Sequence, residues 1–134
     1  MKRRIIAMML LVTGIVHSQD TDPAFSRLVH VDRFAFGGIG YAGVISQGEK
    51  DYKNILARPS ALEQFERVLS AGNPQGKSYA LVGIRKLSPA RFEELSRSLR
   101  GSKEMVTTEH GCIELHETVR AVVEQIQKGQ YSNY

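Results

Sequence analysis

Tryptophan is absent from this 134-residue chain, and cysteine occurs once, at Cys112. A single cysteine rules out any disulfide within the chain, and with it the small disulfide-stapled scaffolds common among exported domains. It also lies far from the N-terminal region, where a bacterial lipoprotein carries its lipidated cysteine, so no lipid anchor is expected. Aromatic residues make up only 7% of the chain, but Leu, Ile, Val and Phe are spread from residue 28 to 126, enough for a core. After residue 18 there is no long apolar run, no heptad repeat and no low-complexity tract. Nothing resembles a Ser-His-Asp set or a carboxylate pair. No basic stripe is interleaved with aromatics either, so nucleic-acid binding has no support.

What is present begins at the N-terminus. Lys2, Arg3 and Arg4 precede a mostly apolar run from Ile5 to Val16. That run is too short for the ~20 residues of a membrane-spanning helix. Val16-His17-Ser18 supplies the small or β-branched residues of a signal-peptidase site, with Gln19 as the new N-terminus. Residues 1–18 therefore read as a cleaved export signal, and the mature chain as periplasmic, or alternatively secreted. The 18 basic and 14 acidic residues give a net charge of +4, but three of the basic residues and none of the acids fall in the signal. The mature chain is then near neutral, and its apparent basicity says nothing about anionic partners.

Residues 19–45 read as an extended, glycine-rich arm. Residues 19–27 look like a polar lead-in, Val29, Val31, Phe34 and Phe36 predict a short edge strand, and Gly37, Gly38, Gly40 and Gly43 suit no regular element. A helical domain over 46–129 is expected to follow, with 130–134 as a polar tail. Ser46-Gln47-Gly48-Glu49 and Ser60-Ala61-Leu62-Glu63 have the form of capping boxes, in which Ser and Glu satisfy exposed amides reciprocally. Asn73-Pro74 and Ser88-Pro89 read as N-caps followed by an N1 proline. The apolar run Tyr79–Ile84 could be a buried strand, but the length from Pro74 to Leu87 predicts a central buried helix, with Gly83 admitting a close neighbour. Residues 102–113 read as a loop or short extended piece. Leu115, Val119, Val122, Val123 and Ile126 predict a final amphipathic helix closed by Gly129. The expected fold is mainly α: a small HEAT-like bundle of about five helices in hairpins, with the glycine-rich arm. The alternative is α+β, if residues 78–84 form a strand.

Two places could hold chemistry. Gly38, Gly40 and Gly43 match G-x-G-x-x-G, yet the helix is expected only at Ser46, and no second strand ending in an acid follows. No nucleotide or other cofactor is expected. His110, Cys112 and His116 could contribute metal ligands, with His30 as a distant fourth, but the paired spacing of a zinc site is missing and no metal is assigned. Cys112 could instead be a nucleophile activated by His110 or His116. Against that, a lone cysteine between Gly111 and Ile113 is expected to be a small buried hydrophobe.

Three stretches, Phe36–Gly43 running into Ser46–Glu49, Asn73–Arg85 and Val106–Ile113, resemble small exported proteins of Gram-negative bacteria, some associated with microcin gene clusters. The resemblance implies no catalytic residues. The sequence reading is thus an exported interaction or accessory module with no catalytic set, whose partner is another periplasmic or envelope protein. The alternative is a small cysteine-dependent enzyme or redox protein using Cys112 with His110 or His116.

Overall fold

The computed structural model describes residues 22–134; the stretch read as an export signal lies outside them. Among the described residues, six helices and two small antiparallel hairpins make an α+β fold. This corrects the expected mainly α, HEAT-like bundle of five helices. The β content comes from residues 38–45 and 105–118, not from 78–84.

The first helix, α1 (Pro23–Val29), begins in the stretch read as a polar lead-in and runs on through Val29, a residue of the predicted edge strand. Asp22 caps it by accepting the Ala24 N–H at 3.2 Å, and Pro23 takes the first helical position. Asp22-Pro23 is thus the same cap-and-proline signal as Asn73-Pro74 and Ser88-Pro89. Arg58 grips the Asp22 carboxylate and holds its pKa below the usual range. Arg27 holds the buried Asp51 through two hydrogen bonds, of 2.9 and 2.7 Å. These contacts tie α1 to α2 (Gln47–Leu56) and to the turn after it.

Helices α3 (Ala61–Ala71) and α4 (Pro74–Leu87) follow, then α5 (Pro89–Ser96) with a 3-10 turn at Arg97–Leu99. Helix α4 is the central element, and residues 78–84 are all buried, as the cap signals and length predict. Asn73 accepts the Gly76 N–H at 2.8 Å, which opens it. Gly83 faces the ring of Phe65, and a Cβ there would collide with it. Ser46 caps α2 by accepting the Glu49 N–H at 3.1 Å. Only half of that capping box forms, because the buried Glu49 carboxylate accepts the Gly37 N–H at 2.7 Å and pairs with Lys53 at 2.6 Å. Ser60 makes no side-chain cap, its hydroxyl accepting from the Gln64 amide instead.

Two short strands, β1 (Gly38–Ile39) and β2 (Val44–Ile45), pair within the glycine-rich arm. The main hairpin joins β3 (Met105–His110) to β4 (Ile113–Thr118) in a register that opposes Met105 to Thr118 and His110 to Ile113. Its two-residue turn is Gly111-Cys112. Gly111 has φ +59°, while Cys112, like every non-glycine among the described residues, does not have positive φ, the pattern of a type II′ turn. Of the loop or short extended piece expected over 102–113, the extended form holds from Met105 to His110, and Leu115 lies on β4 rather than on the final helix. That helix, α6 (Val119–Gln127), starts where Thr118 accepts the Ala121 N–H at 3.2 Å. Beyond it the segment read as a polar tail buries Tyr131 and stacks Tyr134 on Phe36, ring centroids 4.7 Å apart.

The base of the arm is core. Phe34, Ala35, Phe36 and Ile39 are buried. Phe34 meets Tyr79 edge-on at 4.9 Å, and Phe36 meets Tyr52 at 5.0 Å. The Tyr79 hydroxyl donates to the Ala35 carbonyl at 2.7 Å and accepts the Ala35 N–H at 3.0 Å.

Candidate functional site

The two hairpins meet because the arm runs beside β3. The Phe34 N–H donates to the Thr107 carbonyl at 2.8 Å, and the Glu109 N–H donates to the Phe34 carbonyl at 3.1 Å. Further along, the Gly40 N–H reaches the Gly111 carbonyl at 2.8 Å, and Ile39 forms a parallel bridge with Gly111. Arg33 closes the seam from outside with a 2.5 Å ion pair to Glu109. The tip of the β1–β2 hairpin is thereby fixed beside the turn of the β3–β4 hairpin.

Burial stops at this junction. Tyr41 is fully exposed, Val44 and Ile45 are exposed beside it, and Ile113 and Leu115 are 61% and 44% exposed on β4. These five belong to a set of only seven exposed large hydrophobics among the described residues. From Phe34 to Gly48 there is no charged side chain. The tip is a neutral apolar projection, of the kind that marks an interaction surface. Gly40 and Gly43, with φ +68° and +62°, make the tight return between its strands. The G-x-G-x-x-G spacing therefore belongs to a hairpin, and the next helix starts only at Gln47.

The sequence candidates lie at the same end but do not form one constellation. Cys112 is a free, exposed thiol in the turn, which corrects its expected burial as a small hydrophobe. The turn needs Gly111 for its positive φ, and the next position then points outward. His110 is half-buried opposite Ile113, on the hairpin face that carries Val106 and Thr108. His116 lies opposite Thr107 on the other face, its Nδ1 3.4 Å from the Thr107 hydroxyl and its Nε2 3.9 Å from Glu114. Alternation along a strand separates the two imidazoles. Among the described residues, no hydrogen bond links Cys112 to either histidine. Nor do three His, Cys, Asp or Glu side chains among them gather closely enough to hold a metal ion. No helix of the described residues is long and apolar enough to cross a membrane.

Away from the tip, a cavity of about 220 Å³ is lined by Val82, Arg85, Lys86, Ile126, Tyr131 and Ser132. Two helices end there, and Arg85 donates to the Gln127 carbonyl at 3.3 Å. Its cations are explained by those carbonyl ends.

Sequence reasoning overlooked the apolar tip. Its signal was the uncharged run around Tyr41, flanked by Val44 and Ile45, which a core-directed reading assigns to packing. No protein-family model, curated protein or solved structure matches this chain, so its function is read from geometry alone.

Proposed function

We propose that the chain is an exported, non-enzymatic binding module that holds another envelope protein through the joined tips of its two hairpins. The observation that carries this reading is the exposure of Tyr41, Val44, Ile45, Ile113 and Leu115 at one braced end of the molecule, the first three on a run without a charged side chain. Leaving such side chains in water forfeits about 1.5–3 kcal/mol for each that could be buried, an incentive for a partner to cover them. Tyrosine is among the residues that dominate interfaces, because it supplies a large rigid ring with few rotamers to freeze. The partner's matching surface is an apolar depression able to take the Tyr41 ring. The hydrogen bonds from β3 hold the tip in place before binding, so little ordering entropy is lost on contact.

Site-specific photocrosslinking in cells tests this. A photoreactive phenylalanine analogue at position 41 is expected to capture one discrete envelope polypeptide. The same analogue at Arg97, exposed in the 3-10 turn after α5, is expected to capture none. Equal labelling from both positions, or no adduct from position 41, overturns the reading.

A further inference from the structure

The outer edge of β4 has a polarity pattern that fits itself. In the hairpin register, the Val119 N–H donates to the Glu104 carbonyl at 2.8 Å, which sets the phase of the ladder. Glu117, Leu115 and Ile113 then turn their backbone groups toward β3, and Glu114 and His116 turn theirs away. On the other side of the hairpin, β3 is covered by the arm at Phe34. Among the described residues, no backbone group bonds to the outer edge of β4, and residues 113–116 are all exposed. An open edge of this kind is a template for another strand.

We infer that β4 pairs antiparallel with β4 of a second copy of this chain, about a two-fold axis at Leu115. Side chains choose the register. With the axis at Leu115, the two Leu115 side chains meet, and each Glu114 lies opposite a His116, so carboxylate faces imidazole twice. The outward N–H and C=O groups of Glu114 and His116 then exchange hydrogen bonds in pairs. Moving the axis to Glu114 puts the two carboxylates against each other, which is destabilising. Moving it to His116 sets imidazole against imidazole and Leu115 against Glu117. In the favoured register Ile113 faces Glu117, whose carboxylate is drawn inward by Thr108 and Gln125 at 2.7 Å, leaving its methylene stem for Ile113. Cys112 falls opposite Thr118, so the two thiols stand apart and the pairing needs no disulfide. Such a short strand pair belongs with the small, weak interfaces, and a micromolar dimer is expected. The inference shares Ile113 and Leu115 with the proposed binding surface but does not depend on Tyr41.

Sedimentation equilibrium from about 5 to about 500 µM brackets that range. The wild-type chain is expected to dimerise reversibly, equally with and without reductant. Leu115→Lys, which sets two cations at the axis, is expected to weaken the dimer by about tenfold or more. His116→Pro removes an outward N–H together with the imidazole that faces Glu114 and is expected to do the same, while circular dichroism stays native. Amide exchange of Glu114 and His116 in the wild type is expected to slow as concentration rises, a readout that needs no variant. Tyr41→Ala is expected to leave the dimer intact, which separates the two proposals. A monomer at every concentration, a dimer abolished by reductant, or unchanged exchange at Glu114 and His116 overturns the inference.

Discussion

Tyr79 shows how one side chain fastens the arm to the helices. Its hydroxyl bonds to both the N–H and the carbonyl of Ala35 and lies 3.2 Å from the Ser46 hydroxyl. Replacing it with phenylalanine keeps the ring packing against Phe34 and Phe36 but leaves the buried Ala35 N–H without that acceptor, while the Ala35 carbonyl still accepts from the Ser46 hydroxyl at 3.1 Å. Tyr79→Phe is expected to cost about 1–3 kcal/mol, read as a lower urea midpoint with an unchanged slope. Loss below about 0.5 kcal/mol would mean that the contact Ser46 already makes to Ala35 is enough. The tyrosine itself was legible only as a core residue. Its partner, Ala35, is 44 positions away and carries no side-chain signal.

Elements were readable where their instructions are local. Asn73-Pro74 and Ser88-Pro89 open helices as expected, because a cap is a contact between residues two or three apart. The β3–β4 hairpin was missed for the opposite reason. Leu115 stands four residues before Val119 and seven before Val122, so it fits the helical stripe that follows. Only the bond from Thr118 to the Ala121 N–H shows that the helix starts after it. The apolar site was equally hidden, since exposure at Tyr41 and Leu115 depends on where the arm docks along β3. At the junction of α3 and α4 the close approach foreseen at Gly83 has a measurable consequence. Gly83→Ala adds helix propensity worth about 1 kcal/mol yet pushes against Phe65. A net loss of about 1–2 kcal/mol in chemical denaturation is expected, and any stabilisation would show that the ring can yield.

The whole molecule closes around a cluster of buried tyrosines, and that makes its stability sensitive to alkali. Burial pushes the Tyr79 phenol up to about 12 and raises Tyr52 and Tyr131 as well. The folded pKa lies above the value near 10 of the unfolded chain, so folding holds these protons more tightly. The resulting stabilisation is complete below pH 10 and is lost as pH climbs toward 12. For Tyr79 alone this is of order 2–3 kcal/mol. Thermal melts between pH 9 and about 12 are expected to show a steep fall coincident with tyrosinate absorbance at 295 nm, whereas ionisation without unfolding would contradict it. The placement of the arm also sets an order of assembly. Arg33 awaits Glu109, 76 residues later, and Phe34 awaits Thr108. Until residues 107–109 are in place, Phe34 has no strand to lie against. The earliest part of the folded domain is thus among the last to settle, and a chaperone that shields this aromatic segment would have its longest opportunity there.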